Sequence, residues 1–164
     1  MNFKWDRIKK FVGQGIKDMA VAGWLNDHLL KKHGFRQNNL WIKGPTKCGK
    51  TSLVELLKEN GCIILNVNLT SPFYDGISDD TQLLVFDEYK AQKTICDMNS
   101  VSDGSRSRLN IKGSSYQLIK PMPVLVLSNF TIKEAYCNSD QDHLKTLLSR
   151  FNLLHLEMIR RNLG

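Results

Sequence analysis

Gly44-Pro45-Thr46-Lys47-Cys48-Gly49-Lys50-Thr51-Ser52 is the stretch that decides how the rest of the chain is read. Its glycines let the backbone curl so that successive N–H groups point into one concavity, which suits an anion. Lys50 places a point charge where β- and γ-phosphates would lie, and the Thr51 hydroxyl is a ligand for Mg²⁺. Gly-x₄-Gly-Lys-Thr is the Walker A pattern, so residues 44–52 together read as a phosphate cradle for ATP or GTP with Mg²⁺, ATP being the expected nucleotide. The mechanism needs a strand before the loop and a helix after it. Leu40-Trp41-Ile42 is a short apolar run, and Lys50 to Asn60 has helical spacing, turning its positive N-terminus towards the same anion.

Three more apolar runs follow: Cys62–Leu69, Leu83–Phe86 and Val124–Leu127, with Leu153–Glu157 as a fifth that closes the set. Buried runs alternating with helices predict an α/β fold, a P-loop NTPase three-layer sandwich on a mainly parallel central sheet. Before it, Trp5, Ile8, Phe11, Ile16, Met19, Leu25 and Leu29 recur at three-to-four spacing. Gly13, Gly15 and Gly23 break that stretch into two or three short helices, and Gly34 ends the last. The expected division is therefore 1–37, a small helical segment, and 38–164, the P-loop domain.

The chain has 164 residues, 41% hydrophobic and 24% charged, enough for one domain with a core. No apolar run reaches bilayer length, and the N-terminus lacks the layout of a secretory signal, so no membrane partner is expected. Four widely spaced cysteines, one inside the phosphate loop, fit reduced thiols in an intracellular compartment. The net charge of +7 exceeds what a nucleotide needs and points to a polyanion.

Two strands end in chemistry. Leu83-Leu84-Val85-Phe86 runs into Asp87-Glu88, and carboxylates at the end of a buried strand are costly unless they hold a metal or act chemically. Asp87 is the candidate second Mg²⁺ ligand and Glu88 the general base for the attacking water. Val124-Leu125-Val126-Leu127 ends in Ser128-Asn129, and Asn129 is a candidate to orient that water or touch the γ-phosphate. Either polar pair, met alone, would simply be a strand leaving the core.

With Leu109-Asn110-Ile111-Lys112-Gly113 between the acid pair and Asn129, this order resembles superfamily 3 helicases, which are AAA+-like ATPases. The nearest likeness is to replication-associated (Rep) proteins of circular single-stranded DNA viruses, and it covers about residues 38–158. The resemblance implies a DNA helicase or translocase that hydrolyses ATP at the subunit interfaces of a ring, expected to be hexameric. It implies that residues 1–37 are an oligomerisation segment and that Lys112 sits on a hairpin gripping single-stranded DNA. The residues read independently as a hairpin, Arg108–Ile111 and Tyr116–Ile119 flanking a Gly-Ser turn. Arg106, Arg108, Lys112 and Lys120 make it basic, and Tyr116 adds an aromatic, a set suited to tracking a backbone. The resemblance also makes Arg150 an arginine finger for a neighbour's ATP, with Arg160 and Arg161 as rivals. It further implies work in a host nucleus if the virus infects eukaryotes.

The family's nicking domain would carry a His-hydrophobic-His pair and a Tyr-x-x-Lys nucleophile. His28, His33, His143 and His155 form no such pair, and no Tyr precedes a Lys by three. Nicking is thus expected on an N-terminal domain of a longer protein, or not at all. Two other readings compete: a superfamily 3 NTPase of an RNA virus, and a small P-loop kinase, which would need a basic lid, whereas Arg160-Arg161 comes after the apparent core.

Overall fold

A computed structural model describes residues 39–44, 50–59, 62–103, 108–118 and 122–155. The expected helices in 1–37, loop residues Pro45–Gly49, Arg106, Lys120, Arg160 and Arg161 lie outside them, as do the side chains of Lys50, Thr51 and Ser52.

The order is β1 (Asn39–Lys43), α1 (Lys50–Glu59), β2 (Ile64–Asn66), β3 (Leu83–Tyr89), α2 (Ile95–Val101), β4 (Arg108–Ile111), β5 (Ser114–Gln117), β6 (Val124–Ser128), α3 (Ile132–Ala135), α4 (Gln141–Arg150) and β7 (Phe151–His155). Five strands form one sheet, β2-β3-β6-β1-β7, and every pairing in it is parallel. β4 and β5 form a separate antiparallel hairpin.

The central strands are apolar on both sides because helices cover both faces. Trp41, Leu84, Phe86, Val124 and Val126 share one core with Met98 and Val101 of α2 and Leu144 and Leu147 of α4. Alternation sends Leu40, Ile42, Leu83, Val85, Leu125 and Leu127 to the opposite face, and all six are buried. α1 contributes buried Leu53, Val54 and Leu57, the helical spacing that a sheet-covering helix requires. Each such fully buried aliphatic side chain is worth about 1.5–3 kcal/mol. This is the expected three-layer arrangement.

Three expected boundaries move. β2 covers only Ile64–Asn66 of the 62–69 run, because Asn68 folds its side chain back onto Thr70 N (3.0 Å) and turns the chain. β7 starts at Phe151, immediately after α4. The hairpin turns at Lys112-Gly113 rather than Gly-Ser, since Ile111 pairs with Ser114 and Gly113 takes the positive φ of 79°.

Candidate active site

The parallel register sets the site. Lys43 of β1 lies beside Ser128 of β6, and Ser128 lies beside Tyr89 of β3. The phosphate loop, Asn129 and the acid pair therefore leave the carboxyl ends of three adjacent strands at one edge of the sheet, where open parallel sheets bind ligands. Gly44 N donates to Ser128 O (3.0 Å), joining the root of the loop to the end of β6. The other side of that root is held by Lys43 Nζ on Glu134 Oε1 (2.9 Å). Glu134 also completes a capping box with Thr131 at the start of α3. The Thr131 N–H and the Lys43 ammonium hold the Glu134 carboxyl at about 2, well below its ordinary 4.5.

The acid pair sits on a bulge. Phe86 pairs with Val126 and Tyr89 with Ser128, so β3 takes three steps where β6 takes two. The extra residue is accommodated by Glu88 in the left-handed region at φ 52°, and Asp87 Oδ1 accepts from Glu88 N (2.9 Å). The bulge turns half-buried Asp87 and exposed Glu88 out of the ladder at the edge where the phosphates would lie. Ser128 Oγ closes it by donating to Tyr89 O (2.7 Å) while accepting from Phe130 N (3.0 Å). Trp41, fully buried edge-on to Tyr89 and Phe151, donates its indole N–H to Phe130 O (2.8 Å). Asn129 thus stands between two residues whose backbones are fixed.

Arg150 ends α4, beside the amino end of β1, and its guanidinium is held inside the subunit. Nη2 lies 3.0 Å from Asp103 Oδ1, and Nη1 donates to Asn99 O. Buried Asn39 ties the same corner together. Its Nδ2 donates to Ser102 O (2.8 Å) and Arg150 O (3.2 Å), and its Oδ1 accepts from Val124 N (3.0 Å).

The hairpin is fastened to the 71–79 segment. Tyr74 N donates to Asn110 O (2.7 Å), Lys112 N donates to Asp75 Oδ1 (2.7 Å), and the Tyr116 hydroxyl donates to Asp79. That bond pushes the Tyr116 phenol up to about 12. Lys112 occupies the exposed tip and Arg108, also exposed, donates to Ser115 Oγ (2.9 Å). Tyr116 is half-buried with its hydroxyl anchored, a more structural placement than a free stacking surface. The anchors Asp75 and Asp79, Asn39, and the bridging role of Ser128 were not read from the sequence. Apart from Phe130 N on Ser128, their partners are 37 to 111 residues away, and local pattern carries no signal for that.

A parallel sheet of this order, with the Walker A sequence following β1, an acid pair on β3 and an amide after β6, has the architecture of a P-loop NTPase domain. Residues 4–159 match the family of parvovirus non-structural protein NS1, and the chain belongs to that family. Protein Rep52 of Adeno-associated virus 2 (isolate Srivastava/1982) is 31% identical over 115 residues, 67% of this chain and 27% of that protein. The chain thus spans about a quarter of that relative's length. Among solved structures, the C-terminal region of NrS-1 is similar with a TM-score of 0.62 and 19% identity, over 96% of this chain and 40% of that one. A JCV helicase with a substituted acetamide bound is similar at 0.54 and 21%, over 85% and 40%. A putative primosome component from Streptococcus pyogenes serotype M3 gives 0.52 and 14%, over 85% and 79%. These structures bear on the fold alone. The superfamily reading stands, while its finer part is corrected: parvovirus genomes are linear single-stranded DNA, not circular.

Proposed function

We propose that this domain is the motor of a viral DNA-replication protein. It hydrolyses ATP at the interfaces of a homo-oligomeric, hexameric ring and draws single-stranded DNA past the Lys112 hairpins. The observation that carries this reading is the convergence of Gly44, Asp87-Glu88 and Asn129 on three adjacent strand ends. In a eukaryotic host, such work on replicating viral DNA would be done in the nucleus.

Lys50 and the loop N–H groups bind the phosphates. Thr51 and Asp87 are the residues that would hold Mg²⁺, an ion that needs few protein ligands when phosphates supply the rest. Asp87 fits: it is half-buried, and no ion pair reaches it or Glu88 among the described residues. When bound, the ion neutralises phosphate charge. Glu88 takes the proton of the attacking water and Asn129 orients that water. Arg150 serves the neighbouring subunit's γ-phosphate, exchanging Asp103 for it when the ring forms. Lys112 and Arg108, with Arg106, contact the DNA backbone without reading bases, and Tyr116 shapes the hairpin that carries them.

The test is ATP turnover with and without single-stranded DNA or RNA, beside a strand-separation assay. Lys50→Ala should abolish turnover, and Lys112→Ala should abolish strand separation. Turnover that ignores DNA, or responds to RNA alone, contradicts the proposal.

A further inference from the structure

Lys93 is a buried charge that the hydrolysis scheme does not use. It is 7% exposed, in the turn after β3, and burial lowers the pKa of its ammonium while Asp97 opposes that shift. A buried ammonium is costly unless acceptors surround it. Here Nζ donates to Ser71 O (3.1 Å) and lies 4.6 Å from the centroid of the Tyr74 ring. Both partners belong to the segment that carries the hairpin, because Tyr74 N holds Asn110 O and the adjacent Asp75 holds Lys112 N.

The backbone of Lys93 is fixed to the other site. Its carbonyl accepts from Tyr136 Oη (2.9 Å), and its N–H donates to Tyr89 Oη (3.3 Å). The two phenols are hydrogen-bonded to each other. One proton per group satisfies this set, with Tyr89 donating to Tyr136 and Tyr136 donating to Lys93 O. Tyr89 directly follows Glu88, and its carbonyl receives the Ser128 hydroxyl. One residue therefore joins the end of the acidic strand to the segment under the hairpin. Networks of this kind carry energetic coupling when the element they hold has two arrangements.

We infer that Lys93 is a positioning residue that couples the hydrolysis site to the hairpin, its backbone fixed by Tyr89 and Tyr136 and its ammonium holding Ser71 and Tyr74. The inference rests on the proposed DNA role of the hairpin and deepens it. A shift of the Glu88 bulge during turnover moves Tyr89 and Lys93. The ammonium passes that shift to Ser71 and Tyr74, and so to Asn110.

The experiment measures the ratio of ATP turnover with saturating single-stranded DNA to turnover without it, together with DNA affinity. Lys93→Met keeps the stem and removes the charge. It should lower the ratio at least fivefold while DNA affinity stays within about threefold of wild type, and Lys93→Arg should restore most of the ratio. An unchanged ratio in Lys93→Met overturns the inference alone. A fall in affinity matching the fall in ratio also overturns it, since Lys93 would then merely hold the hairpin's shape. If wild-type turnover does not respond to DNA, the functional reading fails and the inference with it.

Discussion

The Ser128 hydroxyl donates to the Tyr89 carbonyl at 2.7 Å, closing the bulge that carries Asp87 and Glu88 against the strand that presents Asn129. Both residues are fully or almost fully buried. The bond fixes the acid pair relative to the amide, so the geometry of the proposed site depends on a residue to which the proposal gives no chemical role. Ser128→Ala leaves Tyr89 O and Phe130 N without this partner, a loss of about 1–3 kcal/mol. Denaturant unfolding should show that loss, and ATP turnover should fall about tenfold, consistent with a misplaced base.

Glu88 holds a left-handed backbone, which costs a non-glycine residue roughly 1–2 kcal/mol. Glu88→Gly should therefore stabilise the fold by about 1 kcal/mol while removing the base and abolishing turnover. Glu88→Gln keeps the strain, so its melting temperature should match wild type while turnover drops about 10²-fold or more. Calorimetry beside a phosphate-release assay separates the two effects.

Trp41 reaches the same site from below. Trp41→Phe removes the indole N–H from Phe130 O and opens a gap beside Tyr89 and Phe151. A loss of about 2–4 kcal/mol is expected in chemical denaturation, from the lost bond and the cavity together.

The Lys43–Glu134 pair predicts a pH dependence. The folded Glu134 carboxyl sits near 2, below its unfolded value of 4.5, so its contribution is complete above pH 4.5 and is lost as pH falls towards 2. The melting-temperature gap between wild type and Glu134→Gln should thus be constant near neutrality and close between pH 4.5 and 2. A gap that persists at pH 2 would show that the charge is not its source.

Much of this architecture is legible in sequence for a simple reason. β1, β3 and β6 are buried on both faces, so their apolar runs are unbroken, and the glycine-lysine loop fixes what must precede and follow it. The ends of those runs could be read too, because Asp87-Glu88 and Asn129 contrast with what comes before them. What was not legible depends on distant partners. Nothing local distinguishes Lys93 from the exposed lysines around it, since its burial depends on Ser71 and Tyr74. Asn39 looks like a linker residue, although it ties β1 to β6 and to the ends of α2 and α4. The bulge at Glu88 is likewise invisible, because it exists only relative to β6.

Arg150 decides the central claim. Within one subunit it pairs with Asp103, whereas the proposed ring needs it at a neighbour's phosphate. Lys50→Ala and Arg150→Ala should each abolish turnover, one through its own site and the other through the next. Mixing the two inactive proteins in equal amounts creates interfaces with an intact Lys50 on one side and an intact Arg150 on the other. ATP turnover of the mixture in the presence of single-stranded DNA should then recover to about a quarter of wild type, the share of such interfaces in randomly mixed rings. A mixture no more active than its separate components would contradict hydrolysis at a shared interface and leave Arg150 as an internal strut.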